Sequence, residues 1–208
     1  MYGYKRNRPR EQDTNVPFGL KQYAAPASEP LTLADAKAHL RQDITDDDTY
    51  ISSLISAARA HVENWIGRRL VTQTWDLARD DFPVGAREIT IPYGPVQSIS
   101  SITYLDSGGN SIVLDPSLYL LDTYGISARC YPVYTKIWPL TRYERNAVII
   151  RYVTGYGAAA AVPANIVHAM KMLISHWYEN REIAVDSRVN VIPQTVEALL
   201  SSEREAWL

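Results

Sequence analysis

Residues 45–69 read TDDDTYISSLISAARAHVENWIGRR, and this stretch decides the fold because it predicts one long amphipathic helix. Apolar side chains recur at steps of three and four from Ile51 to Ile66, which puts them on one face of a helix. The three aspartates at the start complement the positive end of the helix dipole, and Gly67 supplies a left-handed stop. Such a helix does not stand alone, because its apolar stripe needs a cover.

Three shorter helices are predicted nearer the two ends of the chain. Thr32 can cap a first helix that runs to Leu40, with Asp35 in the capping-box position three residues later. Pro163 suits the first turn of a third helix, and Pro193 starts a fourth. Each pair of helices carries an apolar stripe that the other pair can cover, so the sequence predicts one bundle of four helices.

The sequence between Leu70 and Thr154 has a different texture, with short β-type runs separated by turn residues. SGGN at 107–110 is a hairpin turn, and PYGP at 92–95 is a second break between strands. Strands at this spacing are typical of an antiparallel sheet or a small sandwich. Seven runs favour strand: 74–77, 88–91, 99–105, 111–114, 118–121, 127–131 and 147–153.

These elements predict an α+β fold. Its four-helix bundle core consists of two amino-terminal and two carboxyl-terminal helices and carries an inserted antiparallel β-subdomain. The corresponding units are an extended arm at 1–30, a helical core domain at 31–69 and 155–208, and an inserted β-rich subdomain at 70–154. The arm is assigned as extended because it holds four prolines and no sustained hydrophobic period.

Composition excludes several functional classes. Apolar residues make up 46% of the 208-residue chain and charged residues 21%, as in a globular protein. No apolar run approaches the roughly 18 residues of a membrane span, and none follows the charged start, so we expect no membrane association and no secretion signal. A net charge of -2 gives no general attraction to phosphate backbones, so we expect no bulk DNA binding.

No residue pattern predicts catalysis, a cofactor or a metal site. The acidic residues at 43–48 lack the glycine and the final glutamate of a calcium loop, and the four histidines lack metal-ligand spacing. The glycines at 155 and 157 form a turn without the rest of a phosphate-binding motif. Cys130, the single cysteine, lies in a strand, which predicts a small buried side chain. We therefore predict a protein that is not an enzyme, with an enzyme of dispersed site residues as the open alternative.

Two sets of residues are candidates for contacts with partners. Tyr178 and Arg181 lie three residues apart at the end of the third helix, where they can pair with a neighbour or form an ordinary helix end. Arg68 and Arg69, which follow the long helix, are also assigned to an interface. The second set, in the arm, is basic and suits an acidic partner or DNA, unless it is a solvated terminus. Its members are Lys5, Arg6, Arg8 and Arg10.

Several motifs follow one another in a characteristic order along residues 31–207. They are LTLADAKAHL at 31–40, DDDTYI at 46–51, AARAHVENWIGRRL at 57–70, PYGPVQSI at 92–99, GYG at 155–157, VPANI at 162–166 and WYENRE at 177–182. No single motif is diagnostic, but the ordered set is fairly specific. In this order the motifs resemble the head–tail connector (adaptor) proteins of tailed bacteriophages.

The resemblance implies a structural connector that forms a ring of twelve subunits under the portal, links the capsid to the tail and lets DNA pass. The implied partners are further copies of the chain, the portal protein, a stopper or tail protein and genomic DNA in transit. The implied location is the virion neck, after assembly in the cytoplasm of a bacterial host, and the family has no catalytic residues. We expect Trp207 and Leu208 to pack against the portal, because the chain end is apolar. The alternatives are a nucleic-acid-binding packaging accessory that uses the basic arm, and another tail-completion protein.

Overall fold

The computed structural model describes residues 18–180 and 194–204, which form a helical half joined to a sheet-rich half. The helices are α1 (Leu33–Leu40), α2 (Asp48–Ile66), α3 (Ala164–Glu179) and α4 (Gln194–Ser201). The strands are β1 (Phe18–Ala24), β2 (Gln73–Arg79), β3 (Ile89–Ile91), β4 (Val96–Leu105), β5 (Ser111–Val113), β6 (Tyr119–Asp122), β7 (Ala128–Pro132) and β8 (Val148–Thr154).

The four helices bury their apolar stripes in one common core. Thr32 caps α1, as predicted, because its hydroxyl accepts a hydrogen bond from the Asp35 N–H at 3.1 Å. Gly67 follows α2 with a φ of 72°, which is the predicted left-handed stop. α1 and α4 each pack against both α2 and α3, so they flank that central pair on opposite sides.

The strands form two antiparallel sheets that enclose a second core. One sheet has the order β1-β2-β8-β4-β5 and the other the order β3-β7-β6. Both contribute to the core, with Leu77 and Tyr152 from the larger sheet and Ile89 and Cys130 from the smaller. All seven predicted strands are confirmed, and the turn at 107–110 joins β4 to β5 as expected. The arrangement is the small sandwich that the strand spacing allowed.

β1 is the one described strand that the sequence did not predict. It lies in the segment assigned to the extended arm and pairs antiparallel with β2, with Phe18 opposite Arg79. Phe18 and Tyr23 are 53% and 59% exposed, so the strand lacks the buried alternation that marks a strand in sequence. It is held by the strand ladder and by the Tyr23 ring, whose centroid lies 3.4 Å from the Arg151 guanidinium carbon.

The predicted four-helix bundle core with an inserted β-subdomain is wrong. The described residues form a sheet-rich α+β fold, with eight strands in two antiparallel sheets and four helices. α1 and α4 have eight residues each, or about two turns, which is too short for a bundle that serves as the main core. The strands are not one continuous insertion either, because β1 precedes α1 and the sheets bury an apolar core of their own.

The two halves meet at a waist, through which backbone hydrogen bonds pass. The Arg69 N–H donates to the Gly94 carbonyl at 3.0 Å, and the Tyr156 N–H donates to the Leu70 carbonyl at 3.0 Å. α2 ends at the waist, whereas β2 and β4 begin there and run away from it. The body is therefore elongated, with a helical pole at the α1–α2 connection and a β pole at the β2–β3 and β7–β8 connections. The waist consists of residues 67–73, 93–97 and 154–157.

Candidate assembly surfaces

A buried ion pair and two aromatic rings stiffen the waist. The Glu63 carboxylate lies 3.9 Å from the Arg69 guanidinium, and the two side chains are only 5% and 4% exposed. The same carboxylate accepts a hydrogen bond from the Gln73 side-chain amide at 3.0 Å. The Arg69 guanidinium carbon lies 3.7 Å from the centroid of the Tyr93 ring and 4.7 Å from that of Trp75. These contacts join the end of α2 to the start of the larger sheet.

Arg68 and Arg69, which the sequence assigned to an interface, both contact residues of their own chain. Burial lowers the pKa of Arg69, and the Glu63 carboxylate offsets part of that effect. Arg68 donates a hydrogen bond to the Tyr156 hydroxyl at 3.2 Å and lies 3.9 Å from the Glu203 carboxylate. The Arg69 side chain is 4% exposed and the Arg68 side chain is 21% exposed, and a contact of either residue with a neighbouring subunit stays a prediction.

Tyr178 ties the end of α3 to the start of α2 at the helical pole. Its hydroxyl donates a hydrogen bond to the Asp47 carboxylate at 2.5 Å, and its ring centroid lies 6.1 Å from that of Tyr50. The side chain is half-buried, so part of the ring stays accessible. A contact between Tyr178 and a neighbouring subunit stays a prediction.

The other predicted interface residues lie outside the described residues. Phe18, the first described residue, pairs with Arg79 at the β pole, so the basic arm joins the body there. Arg204, the last described residue, lies with its guanidinium carbon 5.5 Å from the centroid of the Trp65 ring, so the carboxyl-terminal residues join the body at the waist. The predicted residues concerned are Arg181, Trp207, Leu208, Lys5, Arg6, Arg8 and Arg10.

An apolar patch at the β pole is a surface that the sequence did not reveal. Trp138 anchors the long β7–β8 connection, because its indole N–H donates to the Arg87 carbonyl at 2.7 Å and its ring stacks on Phe82. The sequence around Trp138 has no hydrophobic period, so it does not distinguish this buried side chain from its exposed neighbours. Exposed apolar surfaces are typical of contacts with another protein. Four apolar residues of this connection are highly exposed, and together they are called the apolar patch: Tyr134, Ile137, Leu140 and Tyr143, which are 94%, 71%, 88% and 98% exposed.

A groove opens between α1 and α3, on the α1 side of the helical half. Its volume is about 590 Å³, within the usual range for sites that bind a small ligand or a few side chains. Leu31 contributes to its apolar floor, Asp35 lies on the α1 wall, and His168 and Lys171 lie on the α3 wall. The pKa of the neighbouring His39 is lowered by burial and by the charges of Lys171 and His168, which indicates a positive local potential.

Within residues 18–180 and 194–204, no group of three or more His, Cys, Asp or Glu side chains is placed to hold a metal ion. In the same part of the chain, none of the helices combines the length and apolarity of a membrane span. The predicted burial of Cys130 is confirmed, and this burial raises the pKa of its thiol to about 12.

A family model described as head completion protein matches residues 29–202. The matched range includes all four helices and the seven strands from β2 to β8. The match confirms the resemblance that the ordered motifs indicated. No curated protein matches the chain.

Three solved structures have the same fold over nearly their whole length. A chain in the neck of an empty gene transfer agent (GTA) particle, computed with C6 symmetry, matches with a TM-score of 0.76 and 22% identity, covering 90% of this chain and 96% of that chain. A chain in the virion of a native GTA particle matches with a TM-score of 0.75 and 22% identity, covering 90% and 95%. A chain in the neck of a native GTA particle, computed with C12 symmetry, matches with a TM-score of 0.73 and 21% identity, covering 90% and 96%.

Proposed function

We propose, because the chain belongs to the head completion protein family, that it is a structural protein of the virion neck that connects the head to the tail. In this role it forms a ring of twelve subunits, docks on the portal protein on one side and receives a stopper or tail protein on the other. Genomic DNA passes through the lumen. The observation that carries the proposal is the family match over residues 29–202.

The fold relatives support the ring and its location. Their structures are those of GTA necks and a GTA virion, and the necks were computed with six-fold and twelve-fold symmetry. The fold match extends over 95–96% of those chains, so the shared fold is not confined to one part of them. Twelve is the subunit number that the sequence resemblance favours.

The shape of the body suits three kinds of contact. A ring needs a head-to-tail interface in which two different sides of each subunit meet. In the proposed ring the long sides of the body make these lateral contacts, and the two poles make the axial ones. The apolar patch at the β pole suits one axial partner, because Tyr134 and Tyr143 are residues of the kind that anchor protein interfaces.

The charge of the chain suits a channel for DNA. A lumen rich in Lys and Arg would bind phosphates and hold the DNA, since each contact releases counterions. The net charge of -2 is compatible with a lumen that is not rich in Lys and Arg. The proposed role is structural and includes no catalysis.

Native mass spectrometry of the purified protein, with and without portal protein, tests this function. One subunit has a mass of 23.4 kDa, so we expect either a closed species of about 281 kDa on its own or a gain of about 281 kDa over the mass of the portal. Negative-stain images of the same sample should contain rings. A protein that stays monomeric at every concentration and does not associate with portal would refute the proposal.

A further inference from the structure

A short stretch of chain crosses the waist along the edge of the larger sheet. β1 is the edge strand of that sheet and ends with Ala24 opposite Thr74, next to the waist. Leu31, seven residues later, is already buried in the core of the helical half. We call residues 22–29 the strap, because they run from the sheet-rich half to the helical half.

Side chains anchor the strap at both of its ends. On the sheet side, the Gln22 amide donates a hydrogen bond to the Gln73 side-chain oxygen at 2.8 Å. On the helix side, the Glu29 carboxylate accepts hydrogen bonds from the Arg59 guanidinium at 2.7 Å and 3.3 Å. The Ser56 hydroxyl donates to the same carboxylate at 2.9 Å. Each half of the body therefore holds one end of the strap.

The two anchors are also joined to each other through the inside of the waist. The Gln73 amide donates to the buried Glu63 carboxylate at 3.0 Å, and the Arg59 guanidinium donates to the same carboxylate at 3.3 Å. A continuous chain of polar contacts thus leads from Gln22 to Glu29, and the strap closes it covalently into a loop. Polar networks in which the members satisfy one another make a structure more rigid.

We propose that the strap fixes the angle between the helical half and the sheet-rich half, and that this angle sets the number of subunits in the ring. Gln22 and Glu29 are the positioning residues, because they hold the strap to the two halves. This inference rests on the proposed ring and adds what selects its size.

The place of the strap in the sheet gives it leverage over that angle. Within residues 18–180, two other stretches of chain join the halves, one from α2 into β2 and one from β8 into α3. The strand order β1-β2-β8 places the strap two strands, or about 10 Å, from β8. Bending the waist by about 3° in the plane of the sheet, with β8 as the pivot, therefore displaces the strap by about 0.5 Å.

The strap opposes a displacement of that size. A hydrogen bond of 2.8 Å, such as that of Gln22, would be stretched beyond the usual limit of about 3.2 Å. Pro26 has a fixed φ, which limits how far the strap can lengthen instead. The bend matters for assembly, because twelve errors of about 3° in the same direction exceed the rotation of about 30° between neighbours.

Hydrogen–deuterium exchange followed by mass spectrometry tests the stiffness of the waist independently of the ring. The double variant Gln22→Ala, Glu29→Ala removes both anchors. We expect peptides with the Arg69 and Tyr156 amides, which donate hydrogen bonds at the waist, to exchange about tenfold faster or more in the same assembly state. The Leu114 amide, which is bonded within the sheet-rich half, should exchange at an unchanged rate.

A matched double variant controls for the loss of surface side chains. Glu88→Ala, Thr90→Ala removes an exposed carboxylate that pairs with Arg129 and an exposed polar side chain of β3. Circular dichroism should show that both double variants are folded, and their urea midpoints should agree. Exchange at the waist should rise only in the variant without the anchors.

Native mass spectrometry of the assembled protein measures the effect on the ring. The natural protein should give one closed species of about 281 kDa, and the variant without the anchors should add closed species that differ from it by one subunit of 23.4 kDa. Inserting Gly-Ser-Gly-Ser between Ala27 and Ser28, which lengthens the strap and keeps both anchors, should act in the same way. The same insertion between Tyr124 and Gly125 in the β6–β7 connection should leave a single species.

The outcomes separate this inference from the proposed function. Faster exchange at the waist together with several ring sizes, in the strap variants alone, supports the inference. Unchanged exchange at the waist overturns it, and so does faster exchange with one ring size, and both results leave the proposed ring intact. A natural protein that never assembles, with or without portal, overturns the proposed function and the inference together.

Discussion

The substitution Gly155→Ala tests how tightly the waist is packed. Gly155 has a φ of 114°, and a Cβ atom there would lie 2.5 Å from the carbonyl carbon of Val71 and 2.9 Å from the amide nitrogen of Thr72. Those are backbone atoms, which cannot rotate out of the way as the end of a side chain can. The junction between the helical half and the sheet-rich half must therefore shift to admit one methyl group.

Gly157 provides a matched control, because it shares the backbone strain but not the contact. Its φ is 118°, and the nearest neighbour of a Cβ atom there would be the Cβ of Ala161 at 3.8 Å. Placing a residue with a side chain in such a conformation costs about 1–3 kcal/mol at either position. Only Gly155→Ala adds a further cost of overpacking, which is about 1–3 kcal/mol.

Hydrogen bonds at the waist increase the expected difference between the two variants. The Thr72 N–H donates to the Gly157 carbonyl at 3.0 Å, and the Gly155 N–H donates to the Pro95 carbonyl at 2.9 Å. Moving Val71 away from Gly155 lengthens such bonds, each of which contributes about 0.5–1.5 kcal/mol. We therefore expect Gly155→Ala to lower the free energy of unfolding by about 2 kcal/mol more than Gly157→Ala does.

Urea unfolding followed by circular dichroism at 25 °C measures both variants against the natural protein. The expected order of midpoints is natural protein, Gly157→Ala, then Gly155→Ala, with similar dependence on urea concentration. If the free energies of unfolding of the two variants agree within about 0.5 kcal/mol, the close contact does not limit the packing and the reasoning fails.

Two further predictions concern buried groups. Glu63→Gln leaves the Arg69 cation buried without its carboxylate and should cost about 3–5 kcal/mol in urea unfolding. Glu29→Gln, which removes a 30% exposed partner of Arg59, should cost about 0–1 kcal/mol, and equal losses would contradict the distinction. Cys130 should resist iodoacetamide up to pH 9, because burial raises the pKa of its thiol to about 12, and reaction in the folded protein at that pH would contradict this.

The secondary structure could largely be predicted because its signals are local. Thr32 and Gly67 mark helix ends through contacts with their immediate neighbours, so a short window of sequence contains the whole signal. The hairpin at 107–110 is likewise fixed by its own turn residues. The buried alternation of β8 follows from the same short-range pattern, with Ile150 and Tyr152 facing the core.

The error in the fold class and the missed surfaces depend on long-range packing. The sequence shows which residues are apolar but not that the sheets enclose a core of their own, so the prediction that the helices form the main core is wrong. β1 was missed because its side chains are mostly exposed and its pairing with β2 is far away in sequence. Arg68 and Arg69 look equivalent as neighbouring cations, yet the Arg69 side chain stacks on Tyr93 and is 4% exposed, whereas the Arg68 side chain is 21% exposed.

A waist that resists bending helps to set the number of subunits in the proposed ring. In a ring of twelve, each subunit is rotated by about 30° about the ring axis relative to its neighbour. If every one of these rotations is wrong by about 3° in the same direction, the errors add up to about 36° around the ring, which is more than the rotation of one subunit. Where the lateral contacts involve both the helical half and the sheet-rich half, the angle between these halves contributes to the rotation between neighbouring subunits. Backbone hydrogen bonds, the Arg69 stack and the close approach of Gly155 to Val71 all oppose bending at this point. The cost of distorting the waist is therefore also a cost of closing the ring with the wrong number of subunits.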